Sequence, residues 1–244
     1  MVRALLCLLL LTAPAAASGL YEAQVIVTGT GLTGRPAGLA ACLAQVLAKV
    51  SGNPALAADS RVSALDPNPL LRSLAYLDRM SDQPKHDELG TRDRPYDLVA
   101  RFHPVGIDAA LRTLGETPWV PPRPDVVIGI TVQPRSGPAM PLRADTDVDE
   151  RHRAALLAAA DRFGLYVLLP LAAGPPPPAP PDAAVLQGSL AWSEAAAGWA
   201  GTWRLSWAGR DTAWAVTGVS FDEAYRDALG GAALVLSGHP KTLQ

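Results

Sequence analysis

Two cysteines in 244 residues are too few for a disulfide framework, and Cys7 lies in an amino-terminal run that is expected to be removed. That leaves Cys42 alone, so the fold has to stand on its core without an internal bridge. Lysine is nearly as scarce, at Lys49, Lys85 and Lys241, and arginine carries most of the positive charge. Basic and acidic side chains number 21 and 23, a formal net charge of −2. A balance this mild excludes a general electrostatic affinity for nucleic acid or for an anionic membrane surface. No serine sits in a G-x-S-x-G elbow, and His103, His152 and His239 have no second histidine at ligand spacing.

What is present begins with an address. Arg3 supplies a positive charge, residues 4–11 are apolar, and Ala15-Ala16-Ala17 ends in small residues of the A-x-A kind. This is the layout of a secretory signal peptide, with cleavage expected after Ala17. The apolar run is shorter than the about 20 residues that span a bilayer, so no transmembrane segment is expected after cleavage. The remaining chain, 49% apolar and 18% charged overall, has the composition of a globular protein.

Periodicity predicts a strand over 23–27 and a helix over 36–50. In the helix Leu39, Cys42, Leu43, Val46, Leu47 and Val50 recur at three- and four-residue spacing, between Pro36 and Gly52. Cys42 is expected to be buried among them. A weaker apolar segment, 70–77, reads as helical, 96–102 as a strand, and 107–114 as a short helix. The proline cluster at 118–124 disfavours both helix and ladder and is taken as a linker between domains at 20–117 and 125–240.

The second domain reads as a strand (126–132), a helix (149–163), a strand (165–169), three antiparallel strands and a final helix. That helix opens on the capping box Ser220 to Glu223. Pairing Trp207 with Thr212 across the last hairpin places one face apolar and the other small or polar, so the sheet is expected to be covered on one side. Fold class is therefore α/β (α+β), in two small domains, the second with a mixed sheet.

Several motifs invite chemistry. Gly29-Thr30-Gly31-Leu32-Thr33-Gly34 matches a dinucleotide fingerprint, but the helix begins only at Pro36 and no second strand with a terminal acid follows, so a glycine-rich loop is the preferred reading. Asp145, Asp147, Asp149 and Glu150 resemble the opening of a calcium loop that then lacks its glycine and final glutamate; capping of the following helix explains them. His86-Asp87-Glu88 is too local to chelate one ion. No metal and no cofactor is expected. Trp199, Trp203 and Trp207 share a strand face and read as core, with stacking on sugar rings as the alternative. Arg92, Asp93, Arg94 and Asp97 alternate in sign before the strand 96–102. Exposed ion pairs are worth only about 0–1 kcal/mol each, and arginine forks bind carboxylates, so this stretch is expected to border a partner surface.

Two blocks carry a resemblance. Residues 22–27 with 35–52, and residues 90–98 with Arg101, Phe102, 107–111 and 118–124, resemble the proteobacterial family called domain of unknown function 2066. The resemblance implies a Gram-negative periplasm and no assigned catalytic residue. More weakly, the second half resembles the amino-terminal domain of the Tol translocation protein. The expected function is a non-catalytic binding or adaptor module of the envelope with a protein partner, its oligomeric state open. The alternatives are a periplasmic hydrolase with its site at the domain interface, and a carbohydrate-binding module.

Overall fold

The computed structural model of this chain describes residues 19–31, 34–83, 94–146, 150–171, 180 and 182–240. The expected signal peptide, the His86-Asp87-Glu88 triplet, Arg92 and Asp93 lie outside these residues.

The amino-terminal half holds a three-stranded antiparallel sheet, β1 (Glu22–Thr28), β2 (Leu71–Asp78) and β3 (Pro95–Phe102), in the order β1-β3-β2. One face is covered by α1 (Arg35–Ser51) and α3 (Pro104–Thr113); α2 (Ser60–Ser63) is a single turn. Leu39, Cys42, Leu43, Val46, Leu47 and Val50 on α1 are buried with Leu98, Ala100 and Phe102 of β3 and with Ile107 and Leu111 of α3. Each fully buried leucine contributes about 2 kcal/mol, which gives α1 its hold on the sheet. Gly52 ends α1 at φ 74°, where its N–H donates to the Ala48 carbonyl.

The segment 70–77, expected to be helical, is strand β2. Its leucines do recur at helical spacing, but pairing with β3 sets the backbone, placing Leu74 opposite Ala100 and Tyr76 opposite Leu98. Extended backbone then puts Leu74 and Tyr76 on the core side and Leu77 on the outer side.

The carboxy-terminal half holds a mixed six-stranded sheet. Its strands are β4 (Val126–Gln133), β5 (Met140–Pro141), β6 (Val167–Leu168), β7 (Ala184–Ser193), β8 (Gly198–Trp207) and β9 (Arg210–Val219). Strand β4 runs parallel to β7 and β6, and β7, β8 and β9 form an antiparallel meander. The strand expected at 165–169 is only two residues long, pairing with Val126 and Val127 on the edge of β4 whose far end, Thr131 and Val132, pairs with β5. Helices α4 (Glu150–Phe163) and α5 (Phe221–Leu236) cover one face through Leu156, Ala159, Ala160, Ala228, Leu229 and Ala232. The capping box of α5 is present, with Ser220 and Glu223 bonded reciprocally.

The last hairpin pairs Trp207 with Arg210 and Trp203 with Trp214, two residues tighter than expected. Its turn is Ala208-Gly209 alone, both at positive φ (50° and 72°), as a two-residue primed turn requires. A slip of two residues keeps every side chain on its expected face. Trp203 lies on that inner face across Gly188 and Gly201, where an added Cβ would fall within 2.4 Å and 2.3 Å of its ring.

Helix α1 meets α4, and α4 packs along α5. The layers therefore run three-stranded sheet, α1, the α4–α5 pair, six-stranded sheet.

Candidate functional site

The segment 118–124 does more than connect. Arg123 stacks over Trp119 and donates from Nη1 to the carbonyls of Phe163 (3.0 Å) and Gly164 (3.1 Å), and from Nη2 to that of Lys49 (2.9 Å). These are the carboxy-terminal ends of α4 and α1, where carbonyls lack helical partners and the dipole favours a cation. Burial brings the Arg123 pKa down to about 10. Lys49, itself buried, donates to the carbonyls of Gly19 (3.2 Å) and Glu22 (3.1 Å); burial holds its pKa below the ordinary lysine range.

A polar network closes the same junction from the other side. Asn53 Nδ2 donates to Glu116 Oε1 (2.8 Å), His239 Nε2 lies 2.9 Å from Glu116 Oε2, and His239 Nδ1 lies 2.8 Å from Ser237 Oγ. The Ser237 hydroxyl is also within donating distance of the Leu234 (3.1 Å) and Gly52 (3.3 Å) carbonyls. His239 and Asn53 border a cleft of about 650 Å³ between β9, α5 and the 3₁₀ turn Pro54–Ala58. Sequence reasoning missed this constellation. Its members come from helix ends 53, 116 and 237–239, and no spacing rule joins them.

The predicted site residues separate. Arg94 is only 8% exposed, with its guanidinium on Asp78 (3.0 Å) and on the Gln83 carbonyl (2.8 Å). Asp97 sits on the outer face of the three-stranded sheet, directly between Ile26 of β1 and Leu77 of β2, and pairs with Arg79 (2.9 Å). Ile26 and Leu77 are 63% and 54% exposed. A second ion pair, Glu22 with Arg101, borders the same face.

The remaining motifs resolve locally. The Gly29 N–H, the first of the glycine-rich loop, donates to the Arg94 carbonyl (2.7 Å). Trp203 is 2% exposed and donates through its indole to Asp227 (3.1 Å), so it offers no face for a sugar; Trp199 stands edge-on to His152 and Phe221. His152 Nδ1 lies 3.1 Å from the Tyr225 hydroxyl. Cys42 is fully buried, and burial pushes its pKa up to about 12. Asp147 and Asp149 lie outside the described residues. Among the described residues no group of three or more His, Cys, Asp or Glu is placed to hold a metal ion, and no helix is long and apolar enough to cross a membrane.

Comparison with known proteins corrects one expectation. The family model that matches is Domain of unknown function (DUF8605), over residues 15–120. The amino-terminal half is similar to that domain. It is not the family 2066 that the motifs resembled. The residues behind that resemblance, among them Leu39, Leu43, Val46, Gly52, Leu98 and Phe102, are core and cap positions that an amphipathic helix on a small sheet needs in any family. No curated protein matches the chain. A solved structure described as "Crystal structure of uncharacterized protein" shares 12% identity over 46% of this chain and 86% of its own, with a TM-score of 0.21, too low to carry an argument.

Proposed function

We propose that the protein is exported to the periplasm of a Gram-negative bacterium and works there as a non-catalytic binding or adaptor module of the cell envelope. One observation carries this reading. The outer face of the three-stranded sheet presents Ile26 and Leu77 to solvent in one row with Asp97, between the ion pairs Arg79–Asp97 and Glu22–Arg101. An apolar centre with a charged rim is the anatomy of a protein-binding patch, and it includes one of the residues the charge pattern singled out. Arg94, held by Asp78 and Gln83, supports this face from behind.

The test is cross-linking with mass spectrometry in the native periplasm, followed by pull-down with Ile26→Asp combined with Leu77→Asp. Both side chains are exposed, so the variant is expected to keep its stability within about 0.5 kcal/mol per substitution while losing the partner. A pull-down unchanged by the double variant overturns the assignment of this face. Recovery of the chain from the cytoplasm alone overturns the location.

A hydrolase is the second reading, favoured by the line Ser237–His239–Glu116 at the cleft. Against it, the Ser237 hydroxyl has a single proton and two backbone carbonyls in reach, and its Oγ packs against Gly52. Labelling of Ser237 by a fluorophosphonate probe would favour the hydrolase over the adaptor.

A further inference from the structure

Where α1 meets α4 and α5, short side chains such as Ala48, Ala155 and Ala159 leave two adjoining crevices of about 200 and 280 Å³. Gln45, Arg162 and Arg226 line both. Among the described residues neither arginine makes a hydrogen bond or an ion pair. Asp161 and Asp222 line the smaller crevice and Asp227 the larger, each of them exposed or engaged elsewhere. Asp161 is 86% exposed on its side chain and lies 3.9 Å from Lys49. Asp227 accepts from the Trp203 indole, and Asp222 is exposed in the first turn of α5. Lys49 adds its own charge at the rim of the smaller crevice.

Arg162 is half-buried, and Arg226 is exposed at the rim, where its charge also acts on Glu223. A half-buried guanidinium without acceptors is costly, and a like charge beside it adds to that cost. Burial, and after it the charge of Arg226, holds the Arg162 pKa below the ordinary arginine range. A single carboxylate satisfies one guanidinium fork, whereas a phosphate has oxygens and charge enough for two.

We propose that the crevice between α1, α4 and α5 is a binding site for a phosphate group, held between the forks of Arg162 and Arg226. Gln45 is placed to supply an amide donor from α1, so an occupant would join the helices of the two sheets. The site is remote from the outer row of Ile26 and Leu77, and its failure would leave the adaptor reading standing.

The experiment is calorimetric titration of the mature protein with inorganic phosphate at constant ionic strength, with chloride as the control and circular dichroism to confirm folding. Saturable binding is expected. Arg226→Gln should weaken it about tenfold, the loss that goes with a charged hydrogen-bond partner. Arg162→Gln with Arg226→Gln should abolish it. The double variant without phosphate should melt no lower than the wild type, since the half-buried charge of Arg162 and its repulsion by Arg226 are gone. Arg226→Lys keeps the charge and loses the fork, so it should also bind more weakly. Flotation with phosphatidylglycerol vesicles, against phosphatidylcholine, distinguishes the source. Binding to the anionic vesicles that the double variant loses assigns a lipid headgroup, and binding in solution alone assigns a small phosphate compound. No response beyond chloride, or a phosphate response intact in the folded double variant, overturns the proposal.

Discussion

The guanidinium of Arg123 lies 4.0 Å from the centre of the Trp119 ring, and from that seat it reaches the ends of two helices that belong to different sheets. Removing it leaves the carbonyls of Lys49, Phe163 and Gly164 without their donor. Arg123→Ala should cost roughly 3 kcal/mol, since hydrogen bonds to charged groups are worth more than neutral ones. Arg123→Lys should recover only part, because an ammonium cannot fork between two helix ends. Urea midpoints of the three proteins test this, and an Arg123→Ala midpoint equal to wild type would refute it.

Gly52 carries a positive φ and also lies in the path of the carboxy-terminal segment. A Cβ added there would lie 2.5 Å from Ser237 Cβ and 2.8 Å from Trp119 Cε3. Gly52→Ala therefore combines left-handed strain with overpacking and should lower stability by about 2–4 kcal/mol. Adding Ser237→Gly removes one clash and leaves the φ, so the pair should recover a fraction of the loss. Thermal melts of the single and double variants give the comparison.

Cys42 makes stability pH-dependent in a known direction. Its thiol pKa is about 12 in the fold against 9.0 unperturbed, so between these values the unfolded chain loses a proton that the folded chain keeps. The contribution is complete below pH 9.0 and fades as pH rises toward 12. The slope approaches about 1.4 kcal/mol per pH unit within that window. Denaturation at pH 8, 9 and 10 should show the decline, and Cys42→Ala should flatten it. In native protein a thiol reagent should react far more slowly than with free cysteine; equal rates would contradict the burial.

Ala208 occupies a left-handed position that favours asparagine or glycine. Ala208→Asn should raise stability by about 1 kcal/mol, and Gly209→Ala should lower it by a similar amount. Differential scanning calorimetry reads both shifts. A fall in melting temperature for Ala208→Asn would mean that the turn differs from the one described.

The elements that the sequence announced are those whose local pattern and tertiary role agree. Helix α1 was legible because Leu39 to Val50 repeat on one face between Pro36 and Gly52, and all of that face is buried. Helix α5 was legible from its capping box. Strand β2 was not, since Leu70, Leu74 and Leu77 fit a helix equally well and only β3 decides between them. The hairpin register slipped because alanine at φ 50° is not a turn signal. At the candidate partner face, Asp97 was visible as a charge, but its neighbours Ile26 and Leu77 come from strands far apart in sequence. Arg94 looked like surface for the same reason: Asp78, which buries it, sits 16 positions earlier.

The layer order fixes a separation as well as a shape. With helices on the inner side of both sheets, the two uncovered faces lie on opposite sides of the helical layer. Typical sheet and helix packing distances hold them roughly 30 Å apart. A body seated on the Ile26–Leu77 face neither shields nor crowds the face that carries Ser189, Thr202 and Arg204. The two faces are thus independent, and a contact made on one leaves the other open.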